Sequence, residues 1–199
     1  MNIENHKYHH GNLRDEILTA AYNFVSENGY AAMSLRSIAE NCNVSATAIY
    51  RHYKTKEHLL ADVVVKGFIE FNKFVEGDSE ANIFDKCDNY LEFAFDNKNI
   101  YDLLFSQSVV EFLQFPNILE VADSSFQTLL ESVKDHDRSL NDLSASNKAI
   151  HIWSFLHGIS SISKKMDVAL ALPRSEMPIP VRSVKRARDN LRQFIEDLF

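Results

Sequence analysis

Two cysteines in 199 residues, Cys42 and Cys87, are too few for a disulfide framework, which excludes a small disulfide-stapled secreted scaffold. Five glycines and four prolines leave little material for breaks in regular structure, and little or no strand is expected. No segment approaches the roughly 18 uncharged apolar residues of a membrane span. The richest, Tyr90 to Phe95, contains Glu92 and lies between Asp88 and Asp96. Met1 to His10 lacks the apolar run of an export signal, so a cytoplasmic protein is predicted. No nucleophile elbow, glycine-rich phosphate loop or metal-ligand spacing is visible, which argues against an enzyme and against a cofactor or metal. His6, His9 and His10 have no nearby Cys or carboxylate pattern to complete a conventional ligand set.

What is present is a 45% hydrophobic chain, long enough to bury a substantial core, with apolar residues recurring at helical intervals. Its net charge of -7 is unevenly distributed. Residues 1–66 hold seven basic and seven acidic side chains, so the whole excess of acid lies beyond them. The same third holds five of the eight histidines, and a local basic face is compatible with a phosphate backbone there.

Asn12 is placed to cap a first helix of about 16 residues, with Leu13, Ile17, Ala20, Ala21, Phe24 and Val25 on one face, which Asn28-Gly29 ends. Ser34 caps a short helix through Asn41, Asn43-Val44 make a tight turn, and Ser45 caps a third helix running through Ile49, Tyr50 and Tyr53. Two short helices so joined form a helix-turn-helix. Thr55 opens a fourth helix over 56–76, and further helices are predicted over 79–97, 99–107, 117–135, 144–166 and 182–198. Asn117 with Glu120 reads as a capping box behind Pro116, and Pro173, Pro178 and Pro180 mark a loop before the last helix.

The run AAYNFVSENGYAAMSLRSIAENCNVSATAIYRHYKTKEHLL, within Thr19 to Leu60, resembles the DNA-binding domain of the tetracycline-repressor (TetR) family. The resemblance lies in ordered submotifs: Asn-Gly-Tyr, Ser-Leu-Arg-x-Ile-Ala, Val-Ser-x-x-x-Ile-Tyr-Arg-His-Tyr and Lys-x-x-Leu-Leu. Residue chemistry supports it independently. Leu35, Val44 and Ile49 make a miniature core, and Ala39 and Ala48 are small where helices cross. Ser34, Tyr50, His52, Tyr53 and Lys56 are polar tips suited to phosphate oxygens. Arg36, Ala46, Thr47, Ala48 and Arg51 are candidates for base edges in the major groove, and the cap residue Ser45 is counted with them among the DNA-binding residues. Thr47 departs from the Gly or Ala frequent in the resembling family and offers a methyl group to thymine. Lys7, His9, His10, Asn12 and Arg14 are placed to grip a phosphate at the start of the first helix.

Beyond residue 76 the many phenylalanines are packing by default. His151, Ser154 and His157 beside Trp153 and Phe155 are polar groups that a wholly apolar core does not need. Trp153-Ser-Phe-Leu-His157-Gly158 is similar to a signature of one branch of TetR effector domains. Gly158 inside a helix suggests close approach by another helix or a ligand. Phe93, Tyr101, Phe105, Phe112, Trp153 and His157 are the candidate lining of a site for a small, mainly apolar effector. The resemblance further implies a homodimer through the last two long helices, which suits a palindromic operator on double-stranded DNA.

The expected fold is therefore all-α. An amino-terminal helix-turn-helix domain over 1–56 is followed by a helical effector-binding and dimerisation domain over 57–199. The expected function is that of a regulator, most simply a repressor, whose DNA binding an effector relieves. The competing readings are a helical protein-interaction module and a small-molecule enzyme.

Overall fold

Ser34, Ser45, Asn82 and Asn141 each accept a hydrogen bond from a backbone N–H of the helix they precede, so four helix starts are set by a short polar side chain. The computed structural model describes residues 13–105 and 115–199 and, among them, eleven α-helices and no strand. The fold is all-α. These helices are α1 (Leu13–Asn28), α2 (Leu35–Asn41), α3 (Ala46–His52), α4 (Lys56–Glu76), α5 (Ile83–Asp96), α6 (Lys98–Phe105), α7 (Pro116–His136), α8 (Asp142–Lys165), α9 (Asp167–Leu170), α10 (Ile179–Asp189) and α11 (Leu191–Glu196). None is long and apolar enough to cross a membrane.

The described residues form two units, one comprising those up to Gly67 together with 99–118, the other 68–98 and 119–199. In the first, α1 buries Ile17, Ala21 and Val25 at four-residue spacing. Against it pack Leu35, Ile38 and Ala39 of α2, while Leu59, Leu60, Val63 and Val64 of α4 are buried in the same unit. Gly29 follows α1 with φ of 78°, a left-handed turn that a side chain would strain. Asn99 closes the unit by donating from Nδ2 to the Ser26 carbonyl at 2.8 Å. Tyr101, Leu103 and Leu104 add buried side chains from α6.

In the second unit, α5 and α10 pack on α8, and α11 packs on α5. Phe71 stands edge-on to both Tyr90 and Phe93, with ring centroids 5.3 and 5.1 Å away, a geometry worth about 0.5–1.5 kcal/mol per pair beyond area burial. Arg188 lies 3.9 Å over the Phe95 ring and Arg192 4.7 Å over Phe84, so two cations of the carboxy-terminal helices cover aromatic faces rather than project freely.

Several helix boundaries differ from those expected, among them that of α8, which starts at Asp142 behind the Asn141 cap rather than at 144. α5 starts at Ile83 rather than 79 because Asn82 accepts from both Phe84 and Asp85 N–H groups, and Asp85 returns a bond to Asn82 N–H. α7 begins at Pro116 itself, whose missing N–H and fixed φ suit a first helical position, so Asn117 is the second residue and not the cap. Pro180 likewise sits in the first turn of α10, which starts at Ile179 and not beyond the proline-containing stretch. The single helix expected over 182–198 is two, interrupted at Asn190 (φ -127°, ψ 36°). The expected cap Asn12 lies outside the described residues.

Candidate nucleic-acid interface

α2 and α3 are joined by a turn in which Asn43 adopts φ of 52° and the Val44 N–H reaches back to the Ala39 carbonyl at 3.0 Å. Asparagine tolerates this left-handed conformation better than a branched side chain would. The Ser34 hydroxyl accepts from Ser37 N–H at 3.0 Å while the Ser37 hydroxyl accepts from Ser34 N–H at 3.0 Å, a reciprocal capping box with serine in place of the usual Glu or Gln. The Ser45 hydroxyl accepts from Ala48 N–H at 3.2 Å. Ser34 thus has a structural duty in addition to the phosphate contact expected of it, and Ser45 has one in addition to its expected place among the DNA-binding residues.

α3 buries one side chain, that of Ile49. Ala46, Thr47, Tyr50, Arg51 and His52 are exposed, Tyr50 to 55%, and Ala48 is half-buried. Arg36 is exposed on α2, with Nε 3.3 Å from Glu40 one turn along. Lys56 is half-buried and donates weakly to the Ala31 carbonyl at 3.4 Å. His10 lies outside the described residues.

Tyr53 is expected among the phosphate contacts, but its ring is core, 2% exposed. Its hydroxyl donates to Asp62 Oδ2 at 2.9 Å. Arg14, expected to grip a phosphate, donates to the same carboxylate oxygen at 2.9 Å. Burial, the largest influence, pushes the Tyr53 hydroxyl up to about 12, and the Tyr53 and Asp62 acceptors hold the Arg14 guanidinium above its usual range. No local pattern announces a contact between residues 48 positions apart.

The candidate effector residues fall in both units. Tyr101 and Phe105, in the first, have ring centroids 4.7 Å apart. Phe93, in the second, is buried against Phe71 and Phe74. Trp153 and His157 stack on one another along α8, half-exposed and half-buried, and burial lowers the His157 imidazole from its ordinary value. Phe112 lies outside the described residues. An added Cβ on Gly158 would meet nothing within 4 Å, so no described neighbour in the chain accounts for that glycine.

The model for bacterial regulatory proteins of the tetR family matches residues 17–63, and the model for the tetracyclin repressor-like C-terminal domain matches residues 83–175. The HTH-type transcriptional regulator UidR of Escherichia coli K12 is 31% identical over 68 residues, which span 32% of this chain and only 35% of that relative. A protein of unknown function from Rhodococcus sp. RHA1 shares the fold with a TM-score of 0.68 at 20% identity, covering 93% of this chain and 96% of its own. The regulator FadR of Bacillus subtilis, solved with stearoyl-CoA, shares it with a TM-score of 0.61 at 19% identity, covering 88% and 97%.

Proposed function

Because the chain belongs to the tetR family of bacterial regulatory proteins, we propose that it is a cytoplasmic transcriptional regulator, acting as a repressor, that reads double-stranded DNA with α2 and α3. One observation carries this reading. α3 spends a single side chain, Ile49, on the core and turns Ala46, Thr47, Tyr50, Arg51 and His52 outward behind a capped start. A helix held so lightly gains little by folding alone, whereas it is suited to the major groove. Residues 1–56 supply the DNA-binding part in this reading and 57–199 the regulatory part. Ser34, Arg36, Ser45, Ala48, Lys56 and His10 complete the contact set, and Tyr53 is left out of it.

Self-association through α8 and the α10–α11 segment supplies the second reading head. Leu143, Ile150, Trp153 and Ile162 on α8 and Phe194 on α11 are large apolar side chains left exposed in the single chain. A two-fold dimer matches a palindromic operator. The second ligand in this reading is a small, mainly apolar effector; FadR, of the same fold, is solved with stearoyl-CoA, whose acyl chain is apolar, and the candidate contacts are Tyr101 and Phe105 in the first unit and Phe93, Trp153 and His157 in the second. Release of DNA by a hundredfold requires about 2.7 kcal/mol of differential affinity between the two states.

Selection from a randomised duplex library, with the salt dependence of binding, tests the reading. Enrichment of a palindrome that is lost in Arg36→Ala and Tyr50→Ala, both folded by circular dichroism, supports it. A folded protein that enriches no sequence at low salt refutes it.

A further inference from the structure

We propose that the Tyr53 hydroxyl, held by Asp62 and Arg14, is the positioning group that fixes the pose of α3 and hence the alignment of its exposed side chains with base edges. The inference rests on the regulator reading above. A seven-residue helix with one buried side chain can roll about its own axis unless both ends are tied. Its beginning is tied by the Asn43–Val44 turn to α2. Its end is Tyr53, whose N–H donates to the Ile49 carbonyl at 2.9 Å and whose ring is buried.

Burial of a ring is favourable but not directional, so by itself it tolerates sliding and rotation. The hydroxyl supplies direction. It donates to Asp62 Oδ2 at 2.9 Å, the same oxygen accepts from Arg14 Nη2 at 2.9 Å, and Arg14 Nε lies 3.5 Å from the hydroxyl oxygen. The Arg14 guanidinium also sits 5.4 Å from the Tyr53 ring centroid. One carboxylate oxygen on α4 therefore joins the first turn of α1 to the end of α3. Arg14 and Asp62 alone would be a solvent-screened surface pair, with side chains 62% and 31% exposed. Tyr53 is the buried member, with its ring 2% exposed.

The test uses the full chain and two duplexes, the selected site and a scrambled one, at a temperature where every variant is folded. Tyr53→Phe keeps the ring and removes the donor. Its ratio of selected to scrambled affinity falls about tenfold, or about 1.4 kcal/mol, because base readout depends on orientation. Its scrambled-site affinity and salt slope stay the same, because the number of phosphate contacts does. Asp62→Ala shows the same loss, and the double variant loses no more than Asp62→Ala alone, since the hydroxyl acts through that carboxylate. An unchanged ratio in Tyr53→Phe, even with a lowered melting temperature, overturns the inference and leaves the regulator reading standing. A wild-type chain that prefers no duplex overturns the regulator reading and this inference with it.

Discussion

The Trp153 indole is stacked against the His157 imidazole one turn along α8, with ring centroids 5.9 Å apart and planes 25° from parallel. Trp153 is the sole tryptophan of the chain, so its fluorescence reports this pair without interference. Burial lowers the His157 imidazole from 6.5, which favours the neutral ring in the folded protein. Protonation quenches a stacked indole. Emission should therefore fall on acidification with a midpoint below 6.5, and His157→Gln should remove the titration. The stability sign follows: as pH falls below 6.5, the unfolded chain protonates first, so the melting temperature drops more steeply in the wild type than in His157→Gln.

Arg36 tests whether an exposed cation can be dispensable for folding and necessary for binding. Its side chain is 87% exposed and its pair with Glu40 spans one helical turn, an arrangement worth about 0.3–0.5 kcal/mol. Arg36→Ala should leave the melting temperature nearly unchanged in calorimetry while weakening operator binding by about 1–3 kcal/mol in a mobility-shift titration.

Ser45 separates capping from phosphate contact. Ser45→Ala removes the acceptor for Ala48 N–H and should cost about 1 kcal/mol of stability. Ser45→Asp restores a good cap but places a negative charge where the polyanionic DNA is proposed to approach. Thermal denaturation should recover in that variant, and DNA affinity measured alongside should fall below that of Ser45→Ala.

Two glycines should respond in opposite ways. A Cβ on Gly67 would come within 2.9 Å of Leu104 Cδ2 and 3.3 Å of Ile100 Cγ2, both side chains being buried. Gly67→Val should accordingly lower stability by about 1–3 kcal/mol through overpacking, read by chemical denaturation. Gly158 has open space at its Cβ, so Gly158→Leu should fold with undiminished helix content. In sedimentation equilibrium the same variant should dissociate more readily, because the proposed partner chain approaches α8 at that point.

The two thiols should differ in reactivity. Cys87 is buried and its thiol is pushed up to about 12, whereas Cys42 is half-exposed and raised less, by burial and by Glu16. Alkylation at pH 8 followed by peptide mapping should find Cys42 modified well before Cys87, and equal rates would contradict the burial of Cys87.

Much of the helix-turn-helix was legible because its signals are local. Ser34 and Ser45 precede apolar periodic runs, and Asn43 occupies the one position between them that needs a left-handed residue. Elsewhere periodicity carried across breaks it could not detect. The register of Val181, Leu191 and Ile195 suits one helix, yet Asn190 leaves helical geometry and divides it. Periodicity also ran past the true start of α5, where the side chain of Asn82 gains more as a cap than as a helical residue. Tyr53 shows a different limit. Its sequence neighbours are polar and exposed, yet its ring is buried, and its hydroxyl is satisfied by Asp62 and Arg14, which arrive from other helices.

The solitary burial of Ile49 also bears on how the protein can change. Ala46, Thr47, Tyr50 and Arg51 contribute no buried side chain, and surface substitutions away from special features usually shift stability by no more than about 0.5 kcal/mol. Mutational drift, or a laboratory library randomised at those four codons, can therefore explore new operator preferences while the scaffold survives, with Ile49 left untouched as the hub around which the alphabet is rewritten.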